Sequence, residues 1–191
     1  KAPLRLVLVE YPLVSSTVER LNGFLDALRD YGKPFKILKT YQAVEPEAGR
    51  RVGQEILRDF PTRKSIDAIF AVNDGGGLSV VEALANAGRD EIEVATVDGD
   101  PLSVANIRAK RLSRIDSAQF CGPLGATAMK VAHAILRGQK VASHILVPVF
   151  PITVETLARY PGWQGPVPAS FEKPWPAKQR MWKGELTEVR Q

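Results

Sequence analysis

The stretch I-D-A-I-F-A-V-N-D-G-G-G-L-S-V-V-E-A-L-A-N-A-G, residues 66–88, decides the fold. Its opening, Ile66 to Val72, is a dense apolar run of strand length. Two polar residues, Asn73 and Asp74, and three glycines follow. Leu78, Val81 and Leu84 then recur at helical spacing, and Gly88 ends the segment as a helix terminator. A strand apolar on both faces that turns at once into an amphipathic helix is one βα unit of a parallel sheet.

The same alternation extends outward in both directions. Leu4–Val9, Phe35–Leu38, Ile92–Val97, Leu112–Ile115 and Ile145–Val149 read as further strands. Ser16 to Glu19, S-T-V-E, reads as a capping box that opens the first helix, with Val18, Leu21, Leu25 and Leu28 as its apolar stripe. Gly32 and Pro34 stop it, and Pro46 fits the first turn of a second helix. Pro101 opens a short helix, and Leu124–Leu136 forms a longer one ended by Gly138. The expected fold is α/β: a doubly wound, mostly parallel, Rossmann-like sheet with right-handed crossovers and helices on both faces. From Tyr160 the composition shifts to Pro and Trp, including Pro161, Trp163, Pro174, Trp175, Pro176 and Trp182. Residues 160–191 are therefore expected as an irregular extension that wraps the surface.

Bulk properties exclude several classes. The 191 residues are 45% hydrophobic and 25% charged, enough for one domain with an appendage. The net charge of +5 is scattered among acidic neighbours rather than gathered in a stripe, so no nucleic acid is expected as partner. No apolar run approaches the roughly 20 residues of a membrane helix. Lys1 is not an initiator methionine, which points to a processed or truncated chain. Cys121 has no partner for an internal disulfide and reads as a small, at least semi-buried side chain. His133 and His144 lack ligands at metal spacing, so neither metal nor cofactor is expected.

Ligands of open α/β sheets sit beyond the carboxyl ends of the strands. Arg20 falls there after the first strand, Gln42 and Val44 after the second, Asn73 and Asp74 after the third. Asp98, Gly99 and Asp100 follow the fourth, and Asp116, Ser117 and Gln119 the fifth. An arginine fork, a carboxylate and amides that both donate and accept suit an array of adjacent hydroxyls. Helix capping is the plain alternative for Asn73 and Asp98. The Gly75–Gly77 turn stands where a phosphate loop would, but matches neither common glycine fingerprint, so a tight strand-to-helix turn is the simpler reading.

The motifs V-E-R-L-N-G-F (18–24), D-A-I-F-A-V-N-D (67–74), E-A-L-A-N-A-G (82–88), V-A-T-V-D-G-D-P (94–101) and I-D-S-A-Q-F (115–120) come in a specific order. G-A-T-A-M-K-V-A-H-A-I-L-R-G-Q-K-V (125–141) and V-P-V-F-P-I-T-V-E-T (147–156) follow. Together they resemble the ribose-binding branch of the type I periplasmic binding proteins. The resemblance implies a two-lobed fold of which residues 1–159 are the second lobe, with about 120–149 crossing over to a first lobe. It implies that Arg20, Asn73, Asp98 and Gln119 hydrogen-bond the hydroxyls of a sugar or polyol. Ribose binders of this kind carry an aromatic ring where Val44 stands, so a stacking contact is lost here and ribose itself is disfavoured.

The implied protein is a binder rather than an enzyme: the periplasmic solute-binding component of an ABC transporter. Its partners would be the permease and a first lobe, supplied by another segment or by a swapped second copy. Two rivals stand beside it: the effector domain of a LacI-type regulator, which shares the fold, and a nucleotide-dependent enzyme using the glycine turn.

Overall fold

The computed structural model describes residues 2–189, which fall into two compact units, Lys1–Asp116 and Ser117–Gln191. The first unit alternates strand and helix throughout. In order it runs β1 (Leu4–Glu10), α1 (Ser15–Tyr31), β2 (Phe35–Gln42), α2 (Pro46–Asp59), β3 (Ala68–Ala71), α3 (Asp74–Asn86), β4 (Glu93–Asp98) and α4 (Pro101–Arg108), and it ends in β5 (Ser113–Ala118). The strands lie in the order β2-β1-β3-β4-β5, and β1 is parallel to both β2 and β3, as β3 is to β4. The expected doubly wound α/β sheet is the observed one.

Successive side chains of a strand point to opposite faces, and here both faces are covered. Val7, Val9, Ile69 and Ala71 meet Val52 and Ile56 of α2 and Val80, Val81 and Leu84 of α3 on one face. Leu8, Phe70, Val72 and Val97 meet Leu21 and Phe24 of α1 on the other. Phe24 stacks on Phe70 with ring centroids 4.1 Å apart. Each fully buried Ile or Leu of this kind contributes roughly 1.5–3 kcal/mol.

Helices α2 and α3 cross very closely because Gly49 and Gly53 lie one turn apart on α2. A Cβ at Gly49 would stand 2.2 Å from the Gly76 carbonyl oxygen, and one at Gly53 2.5 Å from the Ala83 Cβ.

Five local expectations are corrected. The 16–19 capping box is not used: α1 starts at Ser15, and the Thr17 hydroxyl donates instead to the Val14 carbonyl at 2.7 Å. The Thr17 hydroxyl also reaches the Tyr11 carbonyl, so it ties the loop to the helix rather than closing a reciprocal box. Strand β2 runs on to Gln42, past Leu38, because as the sheet edge it tolerates the polar K-T-Y-Q continuation.

The second unit carries the other three. It holds α5 (Cys121–Leu136), β6 (His144–Leu146), β7 (Phe150–Ile152), a 3₁₀ turn at Leu157–Arg159, β8 (Phe171–Glu172), β9 (Met181–Trp182) and β10 (Thr187–Val189). The expected strand at 145–149 is broken around Pro148, which has no amide to donate to a ladder. Its first part, β6, pairs antiparallel with β10 from the tail. The tail is accordingly not all irregular. Strands β8 and β9 form a hairpin that brings Phe171 and Trp182 onto Phe150, at 5.8 and 5.2 Å between centroids, and the Trp182 indole donates to the Val149 carbonyl at 2.7 Å. Phe150 is fully buried, with Tyr160 stacked on it. Cys121, by contrast, is exposed at the first residue of α5.

Candidate functional site

Parallel strands deliver their carboxyl ends to one edge, and the loops there carry the polar residues. Arg20 projects from the second turn of α1. Its Nη1 donates to the Val72 carbonyl at 2.9 Å and lies 3.1 Å from Oδ1 of Asp98. Both side chains keep about a quarter of their surface open, at 22% and 29%. Burial of that degree strengthens an ion pair yet leaves part of each side chain accessible. Asp98 is the last residue of β4 and has a φ of 135°, a conformation L residues rarely adopt. Gly99 follows with φ 82°.

Asn73 begins α3. Its Oδ1 accepts from the Gly76 amide at 3.1 Å, which is the capping role, and its amide nitrogen donates to the Val44 carbonyl at 2.9 Å. That second bond joins the β2–α2 loop to the β3–α3 turn and fixes where Val44 stands. The three glycines have a steric cause: added Cβ atoms would lie 2.4 Å from the Val44 oxygen at Gly75, 2.7 Å from the Ala43 oxygen at Gly76 and 2.8 Å from Thr96 Cγ2 at Gly77. The turn is glycine because neighbouring backbone and β4 press against it, which accounts for the sequence without a phosphate.

Arg20, Val44, Asn73 and Asp98 are thus brought together at one edge of the first unit. Gln119, the fifth residue expected at the site, follows β5 in the second unit, where it is half-buried. Among the described residues no group of three or more His, Cys, Asp or Glu could hold a metal. Among them, too, no helix is long and apolar enough to cross a membrane.

Beneath the Asp98 loop lies a pair of carboxyl groups that the sequence placed at strand ends but did not single out. Asp74 is 3% exposed and Asp116 fully buried. Both oxygens of Asp116 accept from the Gly99 amide, at 3.0 and 3.1 Å, and Oδ2 of Asp74 accepts from the Asp100 amide at 2.8 Å. Burial, and then the charge of Asp116, push the Asp74 carboxyl up to about 9. Burial likewise raises Asp116, against the pull of hydrogen bonds from Ser103 and Asp74. The available signal was Asp116 itself, since aspartate is depleted inside strands.

Residues 6–140 match the family described as periplasmic binding protein domain. The chain belongs to that family. A ribose import binding protein of Bacillus subtilis is 32% identical over 138 residues, covering 72% of this chain and 43% of the relative. A similar solved structure is an ABC transporter periplasmic solute-binding protein of Actinobacillus succinogenes with bound D-allose: TM-score 0.74, 26% identity, 83% of this chain and 55% of that one. The myo-inositol-binding protein of Caulobacter, bound to myo-inositol, superposes with TM-score 0.70 at 27% identity, over 82% of this chain and 54% of that one. This periplasmic binding protein domain therefore spans about two fifths of the length of the curated relatives it matches and about half of the solved ones.

Proposed function

We propose that this chain supplies the second ligand-binding lobe of a periplasmic solute-binding protein that delivers a sugar or polyol to an ABC permease. The observation that carries this reading is the Arg20–Asp98 pair beside Asn73 at the strand ends, a donor fork and an acceptor carboxylate that each keep part of their surface exposed. Neighbouring hydroxyls each donate and accept, so they bridge such a pair without leaving a charge unpaired. Val44 forms an apolar wall in place of a stacking ring. The relatives named above, which bind ribose, allose and myo-inositol, support the ligand class. The lobe performs no chemistry. Ligand contacts made only when two lobes close drive a hinge motion.

Residues 1–159 form the lobe in this reading, 160–191 its extension, and about 120–149 the crossover to a first lobe. Helix α5 supports the crossover. It buries none of its residues and leaves Met129, Ile135 and Leu136 at 72%, 55% and 86% exposure. A groove of about 670 Å³ runs beside it, lined by Val131, Val141, Ile145 and Leu186 among others. Apolar surface of that extent asks for a cover. A first lobe, from another segment or from a swapped copy, provides one.

Titration calorimetry of the full-length protein with D-allose, D-ribose and myo-inositol tests the reading. Asp98→Ala should weaken binding by about 2 kcal/mol or more, as loss of a charged hydrogen-bond acceptor does. Unchanged affinity in that variant overturns the site. Failure of the parent protein to bind any sugar or polyol, with tight binding of DNA or a nucleotide instead, overturns the function.

A further inference from the structure

We propose that the buried Asp74–Asp116 pair is the positioning element of the ligand loop: by anchoring the Gly99 and Asp100 amides it holds Asp98 in its unfavourable backbone conformation, facing Arg20. This inference rests on the sugar-binding reading of the same edge.

A residue with φ of 135° stays there only if its surroundings over-determine it. The two peptide groups that follow Asp98 are both tied from below, Gly99 to Asp116 and Asp100 to Asp74. The tie crosses three strands, since Asp74 follows β3, the loop follows β4, and Asp116 lies in β5. The groups that face the pair are Thr96 and Asp98 of β4, the two loop amides, and Ser103 of α4.

The pair needs a proton to work. Oδ1 of Asp74 is buried with no donor in hydrogen-bond geometry, yet the Asp74 and Asp116 carboxyls interact directly. Two neighbouring carboxylates cannot both ionise in such a place, whereas one proton shared between them supplies the missing donor. With that proton in place the pair presents its remaining oxygens to the amides. When it leaves, the buried charges repel, and the loop they anchor loses its footing. Asparagine at 74 reproduces the protonated form: its amide donates toward Asp116 while its oxygen still accepts from Asp100.

The test uses the full-length protein, with two readouts. The first needs no ligand: the Gly99 and Asp100 amide resonances are followed by NMR from pH 6 to 11. They should shift together near pH 9 in the parent protein and not in Asp74→Asn. The second is the affinity for D-allose and myo-inositol over the same range. The parent should lose about tenfold above pH 9. Asp74→Leu should lose at least tenfold at pH 7, and Asp74→Asn should be rescued to within about threefold and bind independently of pH. Amides that do not titrate, or Asp74→Leu binding as the parent does, overturn the positioning role while leaving the sugar reading intact. Amide titration in a protein that binds neither sugar nor polyol overturns the sugar reading and, with it, the ligand role of the pair.

Discussion

Replacing Gly49 by alanine tests the helix crossing that supports α3 and hence the Asn73 cap. The new methyl would stand 2.2 Å from the Gly76 carbonyl oxygen and 2.9 Å from Ser79 Cβ, whereas ordinary contact begins near 3.4 Å. One helix therefore has to retreat by about 1 Å, and both are fastened to the sheet through Val52, Ile56, Val80 and Leu84, all 0–2% exposed. Overpacking of this kind costs about 1–3 kcal/mol, and alanine returns up to about 1 kcal/mol of helix propensity. The expected net is a loss of about 0–2 kcal/mol. Gly23→Ala in α1 is the matched control, because nothing lies within 4 Å of its added Cβ. That variant should gain about 0.5–1 kcal/mol. Denaturant midpoints at constant m-value, with hydrogen exchange of the α3 amides, read the difference of about 1–3 kcal/mol between two chemically identical substitutions. A Gly49→Ala protein as stable as the Gly23→Ala protein would refute the argument that the glycine is there for close approach.

Two further outcomes follow from charged groups in the first unit. Arg89 is 4% exposed and donates to the Phe60 carbonyl at 2.7 Å, the Thr62 carbonyl at 3.3 Å and Glu91 at 2.7 Å. Arg89→Ala should cost about 3–5 kcal/mol, as removal of one partner of a buried pair does, and a change below 1 kcal/mol in a melting experiment contradicts it. Asp59 is held down to about 2 by hydrogen bonds from the Lys39 ammonium and the Tyr41 hydroxyl. Its folded pKa is thus below the unfolded value. The stability it lends is present above pH 4 and is lost as pH falls toward 2. Acid melts of Asp59→Asn should show a flatter limb in that window, and an unchanged limb counts against the assignment.

What the chain disclosed on its face depended on how local the cause was. The β3–α3 unit was legible because a seven-residue apolar run, a polar pair and a glycine turn stand side by side in sequence. That Arg20, Val44, Asn73 and Asp98 share one edge was legible because topology alone sends the residues after parallel strands there. The double duty of Asn73, capping α3 while holding Val44, was half-legible: capping was the stated alternative, but the Val44 bond spans two loops. The Gly49–Gly53 crossing was hidden, since spacing on one helix says nothing without the helix it meets. The Asp74–Asp116 pair was hidden for the same reason, its members joined only by the sheet. The β6–β10 pairing and the Trp182 anchor escaped because a Pro-rich tail gives no periodicity, though pairing still occurs where two short segments happen to meet. Cys121 came out exposed because α5 as a whole buries nothing here.

The conformation of Asp98 sets two selection pressures against each other. Glycine at that position would relieve the backbone, since it adopts positive φ freely. It would also delete the carboxylate beside Arg20. A library screened for heat resistance alone should drift toward glycine at 98, while one screened for the sugar or polyol binding proposed above should hold aspartate. The residue each lineage settles on would record, in a single codon, which of the two demands shaped this loop.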